Sequence, residues 1–175
     1  MSGPLISISK RLIKVQPVMT ADDNADNDCA FDWTEIPNCF PSNGQASMLQ
    51  SAIILDADFS EASIELIFCQ GSDADGTAPT AAQGLIGGAD TGSAAIDITA
   101  AEAQAVNICG STLCTVGASN IGDLILANIL TARDIGLILA PALNSTSIYV
   151  GGAWRSEPAA TGATGTCDLY LGFQD

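Results

Sequence analysis

The chain has 175 residues, enough for one domain that buries roughly two-thirds of its unfolded surface; 47% are apolar but only 5% aromatic, so core bulk falls to Ala, Ile and Leu. Twenty acidic against five basic residues leave a net charge of −15, which repels nucleic acid and anionic membrane surfaces. The sequence contains no His, which removes Ser-His-Asp and Cys-His machinery and every His metal ligand, and no run reaches the roughly eighteen apolar residues of a membrane helix.

Residues 5–15 (LISISKRLIKV) alternate apolar and polar with β-branched enrichment, and Pro17 closes them. Residues 1–17 therefore read as an edge strand or as an extended N-terminal arm, ahead of a single β-rich domain over 18–175. Lys10, Arg11 and Lys14 place three of the five cations here, leaving only Arg133 and Arg155 against all twenty acids, a charge of −18 from residue 16 onward. That asymmetry fits a segment that docks on an acidic neighbour, and equally a strand whose exposed face carries three charges. No charged stretch followed by a long apolar run opens the chain, so no signal peptide is expected.

Residues 20–47, rich in Asp, Asn, Pro and Gly, read as a long loop with Phe31, Trp33 and Ile36 as anchors. Ser47–Phe59 and Ala62–Cys69 then read as two adjacent strands joined by a turn near Asp58–Glu61, with Ile64, Leu66 and Phe68 on one face and Ser63 and Glu65 on the other. Residues 70–94 carry six glycines among small polar residues and suit a long exposed loop. Thr99-Ala-Ala-Glu102 has capping-box spacing and starts a short helix over about 100–106. In the stretch beyond, Leu124–Leu130 allows a helix and Ile135–Leu139 a strand. Ser147–Trp154 and Cys167–Phe173 read as strands of a C-terminal hairpin, the last with Cys167, Leu169, Leu171 and Phe173 on one face and Asp168 and Tyr170 on the other. Short strands, long loops and one helix together indicate a mostly β fold, an antiparallel sandwich or barrel rather than a βαβ fold.

Chemistry-bearing constellations are sparse. Asp56 and Asp58 share a strand-end face as a carboxylate pair would, yet such pairs occur on any acidic surface, and no catalytic residue is assigned. The loop Ser72–Gly76 (SDADG) has oxygen ligands for a hard cation but lacks the downstream Glu of a calcium loop, and no paired-Cys zinc spacing exists, so no metal or cofactor is expected. Of the six cysteines, Cys29 with Cys39 and Cys109 with Cys114 are close enough in sequence to be disulfide candidates. Cys69 and Cys167 sit inside strand patterns as small buried hydrophobes. Tyr149 and Trp154 flank a Gly-Gly step and suit either the core or a subunit or partner interface.

The segments Gly44–Gln70, Ala78-Pro79-Thr80, Asp97–Val106, Asn144–Trp154 and Cys167–Asp175, in this order and spacing, resemble the capsid decoration (cement) proteins of tailed phages. The resemblance covers about three-quarters of the chain and leaves the first 43 residues without a template. It implies a non-enzymatic virion structural protein on the capsid outer surface, made in the host cytoplasm and partnering the major capsid protein. It further implies a sandwich or jelly-roll-like body, commonly a homotrimer, with Lys10, Arg11 and Lys14 as capsid contacts matched to an acidic shell. A head-fibre or tail-associated host-binding module, motivated by Tyr149, Trp154 and the polar loops, is the alternative.

Overall fold

Where apolar and polar residues alternate most cleanly, the chain is strand. The computed structural model describes residues 10–19, 28–56, 63–80, 98, 100–116, 128–155 and 165–175. In order these form β1 (Lys10–Val15), β2 (Val18–Met19), β3 (Cys29–Ile36), β4 (Ser47–Asp56), β5 (Ile64–Cys69), α1 (Ala100–Ala105), β6 (Ile108–Val116), β7 (Asn128–Leu139), β8 (Ile148–Trp154), β9 (Gly165–Thr166) and β10 (Asp168–Gln174). The protein is mostly β and every ladder is antiparallel. Strand β10 buries Leu169, Leu171 and Phe173, with Cys167 just ahead of it, and β5 buries Ile64, Leu66 and Phe68, each set on the face that alternation assigns.

The ten strands follow the order β1-β10-β4-β7-β6-β5-β8-β3-β2-β9, and the two ends of that order belong to one ribbon. Lys10 faces Gln174, Val15 faces Leu169, Val18 faces Thr166 and Met19 faces Gly165, so the paired numbers sum to 184 throughout. Across the break at Gln16-Pro17 the same register is kept by the Cys167 amide, which donates to the Pro17 carbonyl (3.1 Å). One end of the ribbon joins β4 through β10 and the other joins β3 through β2, so the curled sheet is tied shut by the two ends of the described chain. Strand β6 makes the opposite corner: Ile108–Cys114 pairs with β5, while Thr115 and Val116 pair with β7. A strand that changes partner along its length is how a sheet bends into a closed body.

Inside lies one apolar cluster in which Phe31, Ile36, Leu49, Ile54, Leu66, Phe68, Leu130 and Trp154 are fully buried. The Phe31 ring sits against β8 at Gly152, where a Cβ would overlap it. A smaller cluster of Cys69, Val106 and Tyr149, with Trp33 against it, joins the segment after α1 to the outer side of β5 and β8.

Several expectations are corrected. The segment 20–47 contains β3 rather than only loop; two register shifts, between Cys29 and Phe31 and between Phe31 and Thr34, scramble its alternation, so that Cys29, Ala30 and Phe31 are all buried in succession. Strands β4 and β5 do not pair, because β7 and β6 stand between them. Strands β8 and β10 form no hairpin: β8 lies between β5 and β3, β10 between β1 and β4. Residues 128–130 are strand, not helix, while 135–139 are strand as expected. Residues 10–15 form an edge strand, and residues 1–9 of the expected arm lie outside what the structure describes. The helix falls at Ala100–Ala105; Thr99, the Glu102 side chain, residues 124–127 and the turn at 58–61 lie outside what the structure describes.

Candidate functional site

Strand β1 carries the basic residues, and alternation divides them. Lys10 and Lys14 point outward with Leu12, whereas Arg11 lies on the phase of Ile13 and Val15, at the open end of the sheet. The Asp175 carboxylate accepts from Arg11 Nε (2.9 Å) and Nη2 (2.5 Å) and from Ser47 Oγ (2.5 Å). Arg11 also donates to the Asn38 carbonyl, so a single guanidinium holds β1, the C-terminal residue and the β3–β4 connection together. Partial burial pushes the Asp175 carboxyl up, but the Ser47 and Arg11 hydrogen bonds and the Arg11 charge outweigh it and hold that carboxyl below its ordinary value.

Lys14 binds Asp168 at 2.8 Å and lies 5.6 Å from the centre of the Tyr170 ring, while Gln16 donates to the same carboxylate (2.8 Å). The hydrogen bond to Asp168 raises the Lys14 pKa, and its counterpart lowers that of Asp168. Arg11 and Lys14 are therefore engaged within the chain, while Lys10 is exposed and has no carboxylate partner among the described residues. Charge on an exposed edge strand also discourages unwanted strand pairing.

The two aromatic interface candidates are placed elsewhere. Trp154 is 0% exposed inside the closed sheet, its amide donating to the Asp28 carbonyl (2.9 Å). Tyr149 is 7% exposed and its hydroxyl donates to the Gly76 carbonyl (2.9 Å). Neither presents a platform to a partner; both complete the chain's own core, because β8 is covered on its inner face by the sheet interior and on its outer face by the second cluster.

The proposed disulfides are also corrected, since all six cysteines are free. Cys109 and Cys114 lie five positions apart along one strand, roughly 16 Å at about 3.3 Å per residue, far beyond the reach of an S–S bond. Cys29 opens β3 and Cys39 lies beyond its other end, which separates them by a similar argument. Burial pushes the thiols of Cys29, Cys39, Cys69 and Cys114 up to about 12 and that of Cys109 to about 11, so they are inert as nucleophiles at neutral pH.

Asp73 accepts from the amides of Asp75 and Thr77 and from the Thr77 hydroxyl, and Asn144 Nδ2 donates to Asp75 Oδ1 (2.8 Å). These hydrogen bonds turn the acidic loop back on itself and fasten it to the β7–β8 connection. A shallow hollow of about 490 Å³ lies beside α1, lined by Gln70, Ala103, Gln104, Asn107, Ile108 and Cys109. Asp56 and Asp58 fall outside the described side chains.

The sequence reading missed the outer face of β1, β10, β4 and β7. Ile53 and Leu55 on β4 and Ile129 on β7 occupy outward positions and are half-buried, and Leu12 and Ile138 are 69% and 65% exposed. The signal was present: these apolar residues stand on the phase that a water-facing antiparallel sheet fills with polar ones. What the geometry defines is a closed antiparallel β body fastened by the pairing of residues 10–19 with 165–174, with exposed apolar and basic side chains together on the outer face of β1, β10, β4 and β7. No protein-family model and no curated protein matches the chain.

Proposed function

We propose that the chain is a structural protein of a tailed-phage virion that decorates and stabilises the outer surface of the capsid. The observation that carries this reading is what the segments of the resemblance do in the fold. Within Gly44–Gln70, Asp97–Val106, Asn144–Trp154 and Cys167–Asp175 lie β4, β5, α1, β8 and β10, elements that build the body and close it. The strands among them supply Leu49, Ile54, Leu66, Phe68, Trp154 and Leu171 to the shared core. The partner is the major capsid protein, and the module works as a homotrimer. Stabilisation follows from mass action: a protein that binds the assembled shell but not its separated subunits stabilises the shell by RT ln(1 + [L]/Kd), about 2.7 kcal/mol at a hundredfold excess over Kd. The test uses phage particles stripped of this protein, heated with and without it added back. The disruption temperature rises on addition; an unchanged temperature removes the reading.

A further inference from the structure

We infer that the outer face of β1, β10, β4 and β7 is the surface through which the protein docks, and that its partner is an acidic protein surface with an apolar centre. The inference rests on the decoration reading for the identity of that partner, an outer capsid face, and goes beyond it in naming the surface.

The register lays the face out in rows. Leu12, Gly172, Ser51 and Arg133 face one another across the four strands, and Lys14, Tyr170, Ile53 and Thr131 form the next row. With strands about 4.8 Å apart and like-facing residues about 6.8 Å apart, four strands and four rows span roughly 14 by 20 Å before side chains are added. On this face the outward apolar residues Leu12, Ile53, Leu55, Ile129 and Ile138 stand among Gly172, Ser51, Thr131 and the cations. Leu12 on β1 and Ile138 on β7 lie 69% and 65% exposed in neighbouring rows, and half-buried Ile53 and Leu55 on β4 follow in the two rows beyond Leu12. The bulge in β7, where Asp134 and Gly136 take positive φ, sets Arg133 and Ile138 on the same side although their register has shifted.

Charge chooses the partner. In a chain of net charge −15, four of the five cations lie on the strands of this one sheet, and three of them, Lys10, Lys14 and Arg133, are exposed. Lys14 is held by Asp168, while Lys10 and Arg133 have no carboxylate partner among the described residues. An apolar patch with unpaired cations at its margins complements an apolar patch rimmed by carboxylates. A polyanion such as DNA would gain these few contacts and meet the repulsion of the remaining body.

The experiment measures binding of the unmodified protein and of variants to phage shells stripped of it. Leu12→Glu combined with Ile138→Glu, and separately Lys10→Glu combined with Arg133→Glu, weaken binding at least tenfold, and binding of the unmodified protein weakens as salt rises. Leu113→Glu, at an exposed position of β6 where it pairs with β5, leaves binding unchanged. Thermal midpoints close to the unmodified protein's show that the variants are folded. If the unmodified protein binds and the face variants bind equally well, or if Leu113→Glu weakens binding as much as they do, this face is not the docking surface while the decoration reading stands. If the unmodified protein does not bind shells, both fall. Sedimentation gives a further arm: an oligomer that the face variants dissociate would mean that a second copy covers this face, which overturns the inference.

Discussion

Replacing Gly152 with Ala tests the pairing of β3 with β8 at one atom. Phe31 pairs with Gly152, and a Cβ there would come within 3 Å of its Cδ1, Cε1 and Cζ atoms. Phe31 is fully buried within the core cluster, so its ring cannot turn out into solvent. In an ordinary strand, Gly→Ala gains about 0.5–1 kcal/mol by restricting the unfolded chain. Here overpacking of a closed core opposes that gain and costs about 1–3 kcal/mol, so Gly152→Ala is net destabilising. At about 2–4 °C per kcal/mol for a chain of this size, the midpoint falls by several degrees. In a Phe31→Val background, which lacks every ring atom in contact, the same Gly152→Ala change becomes neutral or stabilising. Urea unfolding of the four proteins of this cycle, with a common m-value, reads the coupling directly. Equal effects of Gly152→Ala in both backgrounds, or stabilisation in the unmodified one, would refute the register and the packing it implies.

Trp154→Ala removes a fully buried ring and costs about 3–5 kcal/mol in calorimetry, whereas Tyr149→Phe loses one hydrogen bond and costs about 1 kcal/mol; a Trp154 variant as stable as the parent would return that residue to an interface role. The Asp175 and Glu65 carboxyls are held below their ordinary values in the folded chain, so their contribution to stability is present above the unfolded carboxylate pKa of about 4 and is lost as pH falls through the folded values. Arg11→Met flattens this acid limb of the stability curve, and an unaltered limb would show that the Arg11–Asp175 pair contributes nothing measurable. The cysteines react with Ellman's reagent slowly in the native protein and completely in denaturant, with no disulfide in the intact mass; rapid native labelling of Cys29, Cys39, Cys69 or Cys114 contradicts their burial.

Strand identity was readable wherever one face of the strand is in water. The alternation of Leu169, Leu171 and Phe173 and of Ile64, Leu66 and Phe68 belongs to the local chain, because the side-chain period of a strand is two whatever it pairs with. The mostly β class and the short helix at Ala100–Ala105 were legible for the same reason: propensity and periodicity act over a few residues. Strand β3 was hidden by its bulges, since two register shifts place consecutive residues inside and the surrounding Asp and Asn residues read as loop.

Partner choice was decided only in three dimensions. Strands β4 and β5 were expected to lie side by side, yet β4 pairs with β7 over Ser47–Asp56 and with β10, because loop-closure entropy rises only slowly with length and a long ladder outweighs it. The same holds for the six cysteines: nearness along the chain suggested pairs, while strand geometry keeps Cys109 and Cys114 apart. The three cations of the first fifteen residues were visible as a charge cluster, but their roles depend on residues more than 150 positions away, since Asp175 and Asp168 reach them only once the ribbon has closed. The sequence by itself determined the acidic charge, the lack of His and the faces of individual strands, all local or additive properties. The tertiary structure alone decided which face is inside, which cations are paired and which apolar residues are left facing out, because each of these depends on the partner strand.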